Sequence, residues 1–205
     1  MSIKSLYLCA AAALALTATA ADAGVIYSNG PVGAINAFSI DQNFFYLVNS
    51  FLVASSSTLT GVDFGAWQDP GDKITSIDWQ ITTGGLFGPV QASGSGAAVT
   101  SVFGQNKFGY DISWDGFALP NVHLAAGTYW LGIGRATTAN GGLAYWDEND
   151  GPSQAIFNSP FGHGSESFDI TGTGVSALPE PLTLSLFGSG LAGAIAMRRR
   201  KKKAA

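Results

Sequence analysis

The sequence predicts an all-β protein: an antiparallel, jelly-roll-like β-sandwich flanked by an N-terminal signal helix and a single C-terminal transmembrane helix. Between residues 24 and 174, apolar and polar side chains mostly alternate, which is the period of a half-buried strand. Glycine is abundant, with 27 in 205 residues, and clusters of Gly, Pro, Asn and Asp interrupt the alternation at short intervals. No stretch of this region keeps a helical period over about 11 residues, so short strands and turns favour a sandwich over a parallel α/β sheet.

Residues 1–23 have the three parts of a secretory signal peptide. Lys4 supplies the positive charge, an apolar run follows at 6–18, and Ala21-Asp22-Ala23 fits the A-x-A rule for signal peptidase. We expect cleavage after Ala23, with Ala18-Thr19-Ala20 as the competing site and a buried N-terminal helix as the alternative structure. The only cysteine, Cys9, would leave with this segment, so the mature chain could form no disulfide.

Residues 24–174 form the predicted sandwich domain. Ten segments have the strand pattern: 25–27, 34–38, 59–67, 74–82, 90–93, 99–103, 108–114, 128–135, 143–146 and 168–171. Turn signals separate them, among them Asp69-Pro70-Gly71-Asp72 and Asn140-Gly141-Gly142.

Residues 175–205 have a motif, an apolar run and a basic end. Pro179-Glu180-Pro181 precedes the run at 182–197, and six consecutive cations begin at Arg198. Sixteen residues span about 24 Å as a helix against a hydrocarbon core of about 30 Å, which flanking Arg and Lys side chains can accommodate. The cations would keep this end on the cytoplasmic side of the membrane.

This tail resembles the PEP-CTERM sorting signal of Gram-negative bacteria that make extracellular polysaccharide. The resemblance covers about 28 residues: the Pro-Glu-Pro motif, the Gly-rich apolar run and the basic cluster. It implies that the membrane protease exosortase recognises Pro179, Glu180 and Pro181, together with the cluster Arg198, Arg199 and Arg200, and cuts near the motif. A permanent C-terminal membrane anchor is the alternative.

The central region is similar to the β-sandwich passengers that often carry this sorting signal. The phrases with this likeness include Thr60-Gly61-Val62-Asp63-Phe64, Ile77-Asp78-Trp79 and Tyr145-Trp146-Asp147-Glu148-Asn149. The resemblance supports the fold and implies no catalytic residues for this chain.

The exported region is acidic. Outside the two sorting segments the chain keeps three basic residues against twelve acidic ones, a net charge of −9. Such a surface repels nucleic acid and anionic lipid and attracts cations. Nucleic acid is therefore excluded as a partner.

The tryptophans suggest a binding surface. Trp79 and Trp114 alternate in step with the apolar residues of their strands, so they are expected to face the core. Trp67, Trp130 and Trp146 are out of step with those residues, so they are expected on the opposite face. Three aromatic rings on the opposite face could form a stacking platform for sugar rings. They could equally cap a second hydrophobic layer under loops, which is the commoner use of Trp.

The acidic turn is the candidate metal site. Asp147, Glu148, Asn149 and Asp150 precede Gly151, and clustered oxygen ligands in a Gly-containing loop suit Ca²⁺. The twelve-residue EF-hand spacing is missing, and a solvated turn is the alternative. We expect no other cofactor.

Catalytic constellations are sparse in this sequence. There is no G-x-S-x-G motif, and His123 and His163 are the only histidines, too few for a typical zinc site. A glycosidase needs only two carboxylates, for which Glu148 and Glu166 are the candidates, although nothing in the sequence pairs them. We therefore expect a protein that is not an enzyme.

The sequence as a whole predicts an exported cell-surface or matrix protein associated with exopolysaccharide. Its expected partners are signal peptidase, exosortase, the inner membrane during transit, and extracellular polysaccharide. The final location would be the outer surface or extracellular matrix of a Gram-negative bacterium. A carbohydrate-binding module, with or without Ca²⁺, is the alternative function, and a glycan-active enzyme comes third.

Overall fold

Strands make up all the regular secondary structure in the described part of the chain, which comprises residues 23–41, 47–157 and 164–174 of the computed structural model. All strand pairs there are antiparallel. The strands are β1 (Gly24–Ser28), β2 (Asn36–Ser39), β3 (Leu47–Val53), β4 (Ser57–Gln68), β5 (Ile74–Thr82), β6 (Val90–Ala97), β7 (Val99–Gln105), β8 (Asp111–Leu124), β9 (Gly127–Thr138), β10 (Ala144–Asn149), β11 (Ala155–Phe157), β12 (Ser165–Glu166) and β13 (Phe168–Gly174).

The larger sheet has eight strands and is built around β4. One side of β4 pairs with β8 along its whole length, and β7 adds to β8. The other side pairs first with β13 and then, over the last three residues of β4, with β10. Ser167 is the single residue between β12 and β13. Its N–H donates to the carbonyl of Asp147 on β10, and its carbonyl accepts from the N–H of Gly65 on β4. The remaining strands add at the edges, β1 to β13 and both β2 and β12 to β10.

The smaller sheet has five strands in the order β11-β3-β9-β5-β6. At its edge, β6 continues through Ala98 into β7, so a nearly continuous stretch of chain passes from the smaller sheet to the larger one. The N–H of Ala98 donates to the carbonyl of Thr75 at this crossing.

The two sheets face each other over one apolar core. Its largest fully buried side chains include Trp146, Phe64 and Phe168 from the larger sheet, and Trp79 and Phe51 from the smaller one. The Trp146 and Phe168 rings meet edge to face with centroids 5.8 Å apart. The prediction of an all-β protein with antiparallel sheets is confirmed, and the arrangement is consistent with a sandwich.

All ten predicted strands are present, with some ends displaced. The strand predicted at 108–114 begins instead at Asp111, because residues 106–110 form a turn. In that turn the Asn106 carboxamide oxygen accepts from the N–H groups of Phe108 and Tyr110, and Gly109 adopts a φ of 90°.

The alternating pattern does not predict β3, β11 and β12. Leu47, Val48 and Asn49 at the start of β3 are buried in succession, so the strand shows no polar face. Leu47 belongs to the main core, whereas Val48 packs on the other side of the sheet. A strand covered on both faces loses the period-two signal.

Within the described ranges, no helix has the length and apolarity that crossing a bilayer requires. The apolar segments predicted as helices at 6–18 and 182–197 lie outside those ranges.

Candidate functional site

The tryptophan platform predicted from the sequence is wrong. Trp67, Trp130 and Trp146 are 5%, 9% and 0% exposed, so none of the three rings is open to a sugar. Trp146 belongs to the core between the sheets, where its Nε1 donates to the carbonyl of Ser167 at 2.9 Å.

The other two tryptophans cap second hydrophobic layers, as the alternative interpretation predicts. Trp67 lies beneath the 106–110 turn, with its ring 5.9 Å from the Phe108 ring and 6.1 Å from the Tyr110 ring. Trp130 packs with Val48 and Leu86 on the outer face of the smaller sheet. Both rings therefore stabilise loops against the sheets.

Trp114 is the tryptophan that reaches solvent. The sequence places it in phase with the core, but Ser113, Asp115 and Phe117 are the residues of β8 that are buried towards the core, and Trp114 is half-buried on the outer face. The alternation of Tyr110, Ile112 and Trp114 follows the outer aromatic layer instead of the core. Trp79, the other tryptophan predicted for the core, is buried there as expected.

A shallow groove of about 500 Å³ runs beside Trp114 on the outer face of the larger sheet. We call it the Trp114 groove. It crosses β7, β8, β4 and β13, and it is lined by Gly61, Val62, Asp63, Ala97, Val99, Ser101, Trp114, Gly116, Phe117, Ala118 and Thr171. Asp63, which lines the groove, has Asp169 as its cross-strand neighbour; local sequence spacing does not reveal this, because two carboxylates 106 positions apart become neighbours only through the β4–β13 register.

The candidate calcium turn is instead part of the hydrogen-bonded framework. Asp147 is fully buried, and its carboxyl accepts from the N–H groups of Gly33 at 2.6 Å and Ala34 at 2.8 Å. The Trp67 indole and the Ser167 hydroxyl also donate to it, at 2.7 and 3.2 Å. Burial raises the pKa of Asp147, and these donors oppose the rise.

The neighbours of Asp147 are engaged separately. The Glu148 carboxylate accepts from the Asn36 side chain and from the N–H of Gly164. The Asn149 amide donates to the carbonyls of Asn29 and Pro31, at 2.8 and 3.0 Å.

The predicted calcium ligands therefore do not converge. Asp150 is exposed, whereas Asp147, Glu148 and Asn149 are each held by different protein groups. Across the described part of the chain, no group of three or more His, Cys, Asp or Glu side chains is placed to hold a metal ion. A calcium site made by this turn is thus not supported.

Glu148 and Glu166, which the sequence could not pair, stand directly opposite each other on β10 and β12. Glu166 is fully buried; its Oε2 accepts from the Asn49 amide at 2.5 Å, and its Oε1 has no hydrogen-bond partner. Burial raises the pKa of Glu166 well above its usual range, and the nearby charges of Glu148 and Asp147 add to the rise.

A cleft of about 650 Å³ lies beside this pair, lined by residues 29–33, 35–36, 148–152 and 164. Glu148 reaches this cleft, but Glu166 is not among its lining residues. Glu148 and Glu166 therefore do not present their two carboxyl groups to one substrate in this cleft, as glycoside hydrolysis by that pair requires.

The other residues singled out from the sequence lie away from the groove and the cleft or fall outside the described residues. His123 is exposed and its Nδ1 lies 2.8 Å from the Thr58 hydroxyl oxygen across the β4–β8 pair. His163, Ala21 and the sorting residues Pro179, Glu180, Pro181, Arg198, Arg199 and Arg200 lie outside the described residues, whereas Ala23 is described and exposed.

Comparison of the chain with models of protein families, with curated proteins and with solved structures finds no match.

Proposed function

We propose that the chain is an exported, non-enzymatic cell-surface or matrix protein, sorted by exosortase and working alongside exopolysaccharide. The observation that carries this proposal is the position of the sheets between the two expected processing sites. Strand β1 begins at Gly24, directly after the expected signal-peptidase cut at Ala23. Strand β13 ends at Gly174, before Pro179. Cleavage at both places would leave every described strand in the mature protein.

The finer architecture belongs to the same proposal. We infer a jelly-roll-like sandwich as the exported domain at 24–174, a signal helix at 1–23, and a sorting tail at 175–205 with one short membrane-spanning helix. The six terminal cations would hold the tail at the cytoplasmic side while exosortase acts on the Pro-Glu-Pro motif. The processed protein would then reach the outer surface or the matrix.

A carbohydrate-binding module is the second candidate, and the half-buried Trp114 favours it. An aromatic ring beside carboxylate and hydroxyl groups in an open groove is an arrangement that can hold a sugar ring and its polar substituents. A glycan-active enzyme is less well supported, because Glu166 does not line the cleft beside Glu148.

Sorting can be tested in a Gram-negative host that has exosortase and in the same host with exosortase deleted. The full chain carries a tag after Ala205, and antibodies against the sandwich and the tag follow it through inner-membrane, outer-membrane and medium fractions. With exosortase present, we expect the sandwich to lose the tag and leave the inner membrane. In the deletion host the sandwich and the tag should both remain in the inner-membrane fraction.

Two variants separate sorting from anchoring. Glu180→Ala should block tag loss, whereas Ser176→Ala, a matched change outside the motif, should leave it unchanged. Tagged, full-length protein in the inner membrane of both hosts would establish the permanent anchor instead.

A further inference from the structure

The floor of the Trp114 groove is made by glycine. A Cβ built at Gly116 would collide with the Oδ1 of Asp63, and one at Gly61 would lie 2.7 Å from the hydroxyl of Thr171. The two glycines thus leave the space into which the Asp63 and Thr171 side chains project. Any larger residue at either position would fill the groove from below.

Trp114 forms one wall of the groove beside small neighbours. The residues directly opposite it are Gly65 on β4 and Ser101 on β7, so neither directly opposed position covers the indole with a large side chain. A half-buried indole between small residues offers an apolar ring that can stack on a sugar or attract a cation.

Asp63 and Asp169 stand directly opposite each other on β4 and β13, beside Gly116. Neither carboxyl group has a hydrogen-bond or ion-pair partner among the described residues, and the Oδ1 of Asp169 is buried without one. Like charges at directly opposed positions, about 5 Å apart, destabilise a sheet. Burial raises the pKa of Asp63, and the charge of Asp169 raises it further.

We propose that the Trp114 groove binds a polysaccharide with free amino groups, whose sugar rings lie against Trp114 and whose ammonium groups pair with Asp63. The inference rests on the proposed function and deepens it by naming the chemistry of the partner. A cation would relieve the repulsion between the two carboxylates, whereas a uronic-acid polymer would add to it. The excess of acidic residues in the exported region attracts the same cationic polymer at longer range.

The test is calorimetric titration of the full chain in mild detergent at about pH 6, which lies above the ordinary pKa of a carboxyl group. Three hexasaccharides serve as probes: β-1,4-linked glucosamine with free amines, its fully N-acetylated form, and the corresponding glucose hexamer. We expect saturable binding of the glucosamine hexamer at least about tenfold tighter than that of the other two, weakening as salt rises.

Three substitutions locate the binding. Trp114→Ala and Asp63→Asn should each weaken binding of the glucosamine hexamer about tenfold or more. Asp150→Asn, which removes an exposed carboxylate outside the groove, should change it less than about twofold. Asp63→Asn should also raise the melting temperature, because it removes the repulsion from Asp169. A more stable variant that binds less well distinguishes a binding residue from a structural one.

Several results would overturn the inference. Equal affinity for the three hexasaccharides would remove the role of the amines. Equal losses of affinity from Asp150→Asn and Asp63→Asn would show that binding depends only on the overall negative charge of the protein. A dimer that dissociates on Trp114→Ala would show that a second copy covers the groove. Exosortase sorting is measured in cells without these sugars, so failure of one proposal is distinguishable from failure of the other.

Discussion

The indole Nε1 of Trp67 donates to the Oδ1 of Asp147 across 2.7 Å, which joins the central strand β4 to β10 on the outer face of the larger sheet. The same carboxyl group holds the backbone of Gly33 and Ala34, in the loop between β1 and β2. Ala34 has a φ of 54°, an uncommon conformation for a residue other than glycine. One buried carboxylate thus fixes two strands and a strained loop.

Removing this carboxylate should be costly. Asp147→Ala leaves the N–H groups of Gly33 and Ala34 and the Trp67 indole without their acceptor, and we expect a loss of about 2–4 kcal/mol in the free energy of unfolding. Urea denaturation measures it. Asp150→Ala, three positions along on an exposed residue, should cost less than about 0.5 kcal/mol. Similar losses from the two substitutions would show that the Asp147 network contributes little.

The small cluster of Val48, Leu86 and Trp130 provides a second test. Leu86 is 7% exposed, whereas its neighbour Phe87 is 83% exposed. Leu86→Ala should destabilise the protein by about 2 kcal/mol and shift tryptophan emission to longer wavelength, because it uncovers Trp130. Phe87→Ala should do neither, and an emission shift in both variants would contradict the packing described for Trp130.

Gly172 marks the point where the β4–β13 register shifts. A Cβ there would collide with the backbone carbonyl of Thr58, which cannot rotate away as a side chain can. Gly172→Ala should therefore cost about 1–3 kcal/mol in chemical denaturation. Gly104→Ala is the matched control, since a Cβ at Gly104 meets no atom within 4 Å. Equal stability of the two variants would mean that the bulge adjusts freely.

Stability should also depend on the protonation of Asp115. This residue is fully buried; Gln68 and Thr100 donate to its Oδ2 at 3.0 and 3.1 Å, and its Oδ1 has no partner. Burial raises the pKa of Asp115 to about 6 despite these donors. A raised acid pKa means that the folded state binds the proton more tightly, so this contribution is fully present below about pH 4 and is lost as the pH rises to about 6.

This deprotonation of Asp115 should lower the free energy of unfolding by roughly 3 kcal/mol, because its pKa is raised by about two units. Asp115→Asn removes the titrating group, so its free energy of unfolding should fall less than that of the wild type between about pH 4 and pH 7. Urea titrations at both pH values measure the difference. Parallel curves for the two proteins would refute a role for Asp115, and Asp150→Asn serves as the surface control.

Strands with one buried apolar face and one polar face can be predicted from the sequence. Strand β5 has the predicted bounds Ile74–Thr82, because one face is buried in the core and polar residues occupy the other. Period-two alternation fails where a second apolar layer covers the outer face. For this reason the alternation does not predict β3, and it predicts the wrong faces for Trp114 and Trp146.

The candidate site was less predictable for a related reason. Adjacent residues in the acidic turn look like ligands for one ion, yet strand pairing gives Asp147 and Glu148 different partners. The opposition of Asp63 and Asp169 depends on the register of two strands that are distant in sequence. Register is set by packing and bulges across the whole sheet, so local spacing does not contain it.

Strand β13 is hydrogen-bonded on both sides, to β1 and to β4, and the chain beyond Gly174 continues from its end. A pulling force applied through the residues after Gly174 would load the hydrogen bonds to β1 and to β4 at once. A strand at a sheet edge is held by hydrogen bonds to one neighbour only. The lifetime of the fold under load is set by its unfolding rate. A load applied on the C-terminal side of the domain should therefore unfold it more slowly than it would a domain whose last strand lies at a sheet edge.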